Sequence, residues 1–188
     1  MTRNRFKNDQ GILRLTIPVC KKSLGFQRIN EVRIYHEGKF VAKHLASLRA
    51  AYANAPFFEE HRAFLEDLFS EKWERLIDLN LKVMEHIKTY LGITSQFVLL
   101  SELGLETKEP ALSVAVSRKL GASHFFAQSS AKKYLDREAF DKAGIEIQFF
   151  NPRPPVYPQL WGPFIPNLST LDMLFNCGPK ASEIIRRM

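Results

Sequence analysis

Most of the short motifs that announce a chemistry are missing from this sequence. It has no G-x-S-x-G turn, no Walker-type loop, no G-x-G-x-x-G after a strand, no H-E-x-x-H and no paired C-x-x-C. Those absences argue against the common serine hydrolases, P-loop enzymes, dinucleotide enzymes and zinc sites. Cysteine is scarce: Cys20 and Cys177 lie far apart without metal-ligand spacing, which fits a reducing, cytoplasmic compartment. No apolar run approaches the roughly 20 residues that span a bilayer. The start, MTRNRFKN, lacks the apolar core of a signal peptide. Internal repeats and low-complexity tracts are absent too. No residue pattern demands a metal, and none implies a cofactor.

What is present is an ordinary globular composition, 45% apolar and 25% charged, with an uneven charge. The net charge is +7, and residues 1–50 alone carry +8. A basic N-terminal quarter points to an anionic partner, such as a phosphorylated metabolite, a carrier protein, a lipid headgroup or nucleic acid. It reads equally as a solvated basic surface. A length of 188 residues suits one domain, 1–188, with a helical insertion at 57–91 and a Pro-rich loop and C-terminal helices at 152–188.

The periodicities predict the elements. Ile12 to Val19 reads as a strand and Ile29 to Tyr35 as a second, half-exposed one. Lys21 to Arg28 is a basic loop between them. Val41, Leu45, Leu48 and Tyr52 stripe a helix over 40–53, and a longer stripe from Trp73 to Leu91 closes a helical pair over 58–91. From Gln96 the pattern becomes strand, helix, strand, helix, strand: Phe97–Leu100, Pro110–Leu120, His124–Ala127, Lys132–Ala143 and Ile145–Phe149. The expected fold class is therefore α/β, a mainly parallel sheet flanked by helices, with a helical insertion. Ser101-Glu102, Gln128–Ser130 and Asn151–Tyr157 would follow strand C-termini, where open α/β sheets bind ligands.

Seven of the ten prolines fall between Pro152 and Pro179, among Tyr157, Trp161 and Phe164. A stiff, aromatic loop of this kind packs on its domain. A helix follows, with Ser169 as cap, Asp172 completing a capping-box-like pattern, and Gly178-Pro179 as stop.

Candidate chemistry is sparse. His44, beside Lys43, is the acid/base candidate, because an unperturbed histidine titrates near neutrality; a surface helix histidine is the alternative. Asp172 is the carboxylate that could orient it, or a plain helix cap. Ser129 and Ser130 open a predicted helix whose N-terminus could hold an anion, with Ser130 equally a plain N-cap. Tyr157 and Gln159 could bind a polar ligand or plug the loop.

Several blocks carry a family resemblance. They are Tyr157-Pro158-Gln159 and Phe164-x-Pro166-x-Leu168-Ser169-x-x-Asp172-x-Leu174-Phe175-Asn176-x-Gly178, with Arg3-Asn4-Arg5-Phe6-Lys7 and Leu13-x-Leu15-Thr16-Ile17-Pro18-Val19 near the start. Lys43-His44, Tyr52-x-x-Ala55-Pro56-x-Phe58 and Tyr134-Leu135-Asp136 complete the set. Together they resemble the WbqC-like family, bacterial proteins of O-antigen and other surface-polysaccharide gene clusters. The resemblance implies a transferase of a small amino-acyl group, such as glycyl, onto a sugar. The family's Lys-His pair matches Lys43-His44, and His44 and Asp172 are the catalytic candidates for that transfer. Asn4, Arg5, Lys43, Tyr52, Ser129, Ser130, Tyr134, Tyr157, Gln159, Ser169 and Asn176 would bind an anionic small-molecule or carrier-linked substrate. Two departures stand out. The chain has no counterpart to the family's N-terminal His-Gln-Pro-type motif, which would leave a sheet edge exposed if that segment supplied a strand. It also has Ala127-Gln128 near the family's usual Ser-Gly pair. The alternative from another class is a non-catalytic accessory or carrier-protein-binding module. Nucleic-acid binding has less in its favour, since no recognition motif accompanies the basic residues.

Overall fold

The computed structural model describes residues 2–21, 25–36 and 38–187. Part of the predicted basic loop, residues 22–24, lies outside them. The chain divides into two compact units: residues 95–153, and the segments on either side of them taken together.

The larger unit begins with a hairpin. β1 (Arg3–Asn8) pairs antiparallel with β2 (Gly11–Thr16), Asn8 opposite Gly11. The turn is made locally: the Asn8 side-chain oxygen accepts the Gln10 N–H at 3.1 Å, and Gly11 takes a φ of 101°, open to glycine at no steric cost. Three amphipathic helices follow, α1 (Phe40–Tyr52), α2 (Phe58–Ser70) and α3 (Leu76–Tyr90). The predicted second strand is reduced to single antiparallel bridges, Val19 to Ile34 and Arg33 to Arg75. After the Pro-rich loop come α6 (Thr170–Cys177) and α7 (Lys180–Arg186), numbered after two helices of the other unit.

Phe175 of α6 is fully buried at the centre of this unit. Its ring meets Tyr52 at 5.0 Å and Phe58 at 5.2 Å, both edge to face, and stacks on Phe6 at 6.5 Å. The inner face of the hairpin supplies Phe6, Leu13 and Leu15 to that core. The helices of 57–91 are part of the same core, through Phe58 and Leu65.

The smaller unit contains α4 (Ala111–Lys119), β3 (His124–Gln128), α5 (Arg137–Lys142) and β4 (Glu146–Phe150). β3 and β4 pair in parallel, and Val114, Phe140, Ile145 and Ile147 form a separate small core.

The α/β content stands, but the sheet is not mainly parallel. Among the described residues there are two two-stranded pairs, one antiparallel and one parallel. The strand predicted at Phe97–Leu100 is absent. Phe97, Val98 and Leu100 are all exposed, and the chain turns at once into a 3-10 turn, Leu100–Glu102, with no ladder to join. The helix predicted at Lys132–Ala143 is broken. A 3-10 stretch, Ser129–Lys133, precedes α5, whose start is set by Asp136 accepting the Ala139 N–H at 3.3 Å. A short aspartate side chain competes with the helical backbone and so marks a boundary.

Among the described residues no helix is long and apolar enough to cross a membrane.

Candidate functional site

In the larger unit, residues from both ends of the chain meet in one polar network under the Pro-rich loop. Asp172, on the first turn of α6, is fully buried. The Tyr52 hydroxyl donates to its Oδ1, and the Tyr157 hydroxyl to its Oδ2 at 2.7 Å. The carboxylate therefore serves two phenols and not the capping box expected of it. Ser169 alone caps α6, accepting the Leu171 N–H at 3.3 Å. Asn176 closes the turn by donating to the Asp172 main-chain oxygen at 2.7 Å.

The edge of β1 ties in the rest. Arg5 O accepts the Ser169 N–H at 2.7 Å, and the Lys7 N–H donates to the Tyr52 hydroxyl at 2.9 Å. Asn4 donates to the Ser169 hydroxyl at 3.0 Å. The outer edge of β1 is thereby covered at Arg5 and Lys7, by a helix start and a phenol in place of a strand.

Lys7 is buried, and its ammonium donates to Pro163 O at 2.7 Å, Gly162 O at 3.2 Å and Gln159 Oε1 at 3.3 Å. Gln159 in turn bonds both the N–H and the C=O of Ile165, each at 2.9 Å, and Trp161 fixes its indole N–H on Ala51 O at 2.7 Å. Arg5 donates to Asn167 O. Trp161 and Asn167 both hold left-handed φ values, 65° and 59°. Such conformations persist only where the surroundings over-determine them, and they cluster at functional sites.

The electrostatics follow from burial. Desolvation pushes the Asp172 carboxyl above its usual range, while the Tyr52 and Tyr157 hydroxyls and the Lys7 ammonium pull the other way. Burial lowers the Lys7 amine against the opposing charge of Asp172. It also raises both phenols, with Asp172 adding to the effect. Neither tyrosine is a base near neutral pH. Each is an O–H donor aimed at a carboxylate.

The structure thus brings together Asn4, Arg5, Tyr52, Tyr157, Gln159, Ser169, Asp172 and Asn176. His44 is elsewhere. It sits on α1 two turns before Tyr52, about 12 Å along the axis. It is buried between Phe40 at 5.6 Å and Phe69 at 5.8 Å, and its Nδ1 has no hydrogen-bond partner among the described residues. Burial lowers its pKa, so the ring is neutral near pH 7. Lys43 lies exposed beside it.

Ser129, Ser130 and Tyr134 belong to the other unit. Ser129 donates to Phe150 O at 3.4 Å, and Ser130 is exposed. The five-residue 3-10 stretch they open replaces the α-helix whose dipole was expected to favour an anion. Tyr134 lines an open cleft of about 420 Å³ with Glu109, Pro110, Lys133, Leu135 and Asp136, and the Lys133 ammonium lies 4.8 Å from its ring centre.

Lys7 is the residue of the network that the sequence did not single out as a site. It stood inside a basic motif, and nothing local marks it as buried. A second cluster was missed as well: His61 Nδ1 of α2 lies 2.9 Å from His86 Nε2 of α3, and His61 Nε2 is buried with no partner among the described residues.

The sequence pattern of the WbqC-like protein family matches residues 1–184. The chain is also 32% identical over 187 residues to the uncharacterized protein Rv1507c of Mycobacterium tuberculosis, an alignment covering 98% of this chain and 80% of that protein. No solved structure matches it.

Proposed function

The chain belongs to the WbqC-like protein family, and on that premise we propose that it is a cytoplasmic transferase of surface-polysaccharide biosynthesis. It moves a small amino-acyl group, such as glycyl, from an anionic donor to a sugar. The observation that carries this reading is the convergence of Asn4, Tyr52, Tyr157, Gln159, Ser169 and Asp172 on one rigid network. A preorganised scaffold of that kind is what holding an acceptor in register requires. His44 is the general base in this reading on its chemistry alone: it is neutral and buried, its Nδ1 has no partner among the described residues, and it lies two turns of α1 away from the network.

The test is in vitro transfer from a panel of aminoacyl donors to sugar acceptors, followed for the native chain and for His44→Ala. The expected loss is about 10²-fold or more in turnover, with folding intact. Unchanged turnover removes His44 from the mechanism.

A second reading is favoured by one observation: both Asp172 oxygens are occupied and the residue is fully buried. A network spent on itself also suits a non-catalytic module that docks a carrier protein. Turnover by this chain alone would rule that reading out.

A further inference from the structure

The two faces of the β1–β2 hairpin differ. Its inner face carries Phe6, Leu13 and Leu15 into the core. Its outer face presents Arg3, Arg5 and Arg14 in one column, because Arg3 pairs with Thr16 and Arg5 stands directly opposite Arg14. Arg5 O and Lys7 N–H point away from β2, toward Ser169 and Tyr52. That phase makes Arg5–Arg14 a non-hydrogen-bonded pair, the closer of the two antiparallel geometries, with Cα atoms about 4.5 Å apart.

Two like charges directly opposite one another are destabilising. A nearby carboxylate would relieve them, yet among the described residues none forms an ion pair with Arg3, Arg5 or Arg14. The ion pairs go to Arg33, Arg49, Arg62, Arg75 and Arg187 instead. Nor are the Arg3 and Arg5 guanidiniums loose. Arg3 Nε donates to Thr16 Oγ1 at 3.2 Å, and Arg5 donates to Asn167 O of the pinned loop. Arg3 and Arg5 are held in place, Arg14 stands opposite Arg5, and among the described residues none of the three has an anion.

We propose that this face binds the phosphate or diphosphate group of a small ligand, bridged by Arg5 and Arg14 with Arg3 at its side. Guanidinium forks match phosphate oxygens bidentately. The column from Arg3 to Arg5 is about 7 Å long, enough for one or two phosphates and not for the continuous charge of a nucleic acid. The inference rests on the transferase reading only in taking this ligand to be the anionic part of the donor.

The test is calorimetric titration of the whole chain with inorganic pyrophosphate, and then with ADP, at low and moderate salt. Arg14→Gln should weaken pyrophosphate binding at least tenfold, the scale of one charge-assisted fork (~1.4 kcal/mol). Lys119→Gln, the same charge change in the other unit, should weaken it less than about twofold. The ligand-free melting temperature of Arg14→Gln should hold or rise, because a like-charge contact is removed. Tighter binding of ADP than of pyrophosphate assigns a nucleotide source, and equal binding assigns the diphosphate alone. No pyrophosphate binding overturns the proposal, as does equal weakening by Arg14→Gln and Lys119→Gln. Binding to phosphatidylglycerol vesicles or to duplex DNA without binding to pyrophosphate overturns it too. No arm needs turnover, so pyrophosphate binding with no transfer sinks the transferase reading alone.

Discussion

Gly178 shows how much one missing side chain holds in place. It ends α6 with φ 54° and ψ −134°, where a Cβ would lie 2.3 Å from the Phe57 ring. The Phe57 backbone is held by its N–H bond to Phe175 O at 3.0 Å, and the clash reaches its Cγ at 2.5 Å, so the ring could clear it only by leaving its rotamer. Gly178→Ala should therefore destabilise the protein by about 2 kcal/mol, a fall in melting temperature of roughly 4–8 °C, readable by calorimetry. The stop at Gly178 was legible, since glycine after an apolar stripe ends helices. The role of Asp172 was legible only as polarity, because its phenol partners lie in other segments. Lys7 was illegible: a lysine in a basic run reads as solvated until a distant loop covers it.

At the scale of elements, α2 and α3 are joined by histidines. His86 stacks on Phe64 at 3.6 Å, and His61 lies between Tyr90 at 4.5 Å and Phe175 at 5.4 Å. Burial lowers both pKa values, that of His86 to about 4 with help from His61 and Lys82, while Glu60 partly restores His61. A depressed histidine is neutral in the fold and takes up its proton on unfolding. Its contribution is complete above the unfolded value of about 6.5 and is lost as pH falls toward 4. Asp172, raised by burial, acts in the opposite sense. Urea unfolding between pH 7 and 4.5 should show stability falling by about 1–3 kcal/mol. His86→Gln should flatten that slope, and an unchanged slope would exonerate His86. The helices themselves were legible, because a 3.6-residue stripe needs no partner to be seen. The strands were not. β1 has one apolar residue and is held by its turn and its neighbours, while the apolar run at Phe97–Leu100 finds no ladder.

For the molecule as a whole, stability is unevenly shared. The larger unit buries Tyr52, Phe58, Leu174 and Phe175 completely, whereas the core of residues 95–153 rests on four buried side chains and a two-stranded sheet. Small cores are marginal. Amide hydrogen exchange should accordingly be faster in β3 and β4 than in α1 and α6, as read peptide by peptide; equal protection would mean one cooperative unit. The division at 95–153 was not legible, because a helix–strand alternation looks alike whether its sheet has two strands or five.

The Lys7 ammonium has a consequence for how the protein is born. Its three acceptors lie at residues 159, 162 and 163, and the partners of Asn4 and Tyr52 lie at 169 and 172. A ribosome adds about 5–20 residues per second. β1 therefore waits roughly ten to thirty seconds for the groups that complete it, and the Asp172 network closes only once residue 172 has emerged. During that interval the hairpin's outer edge has no cover, and it is then, and not in the finished fold, that the nascent chain is most open to pairing with another.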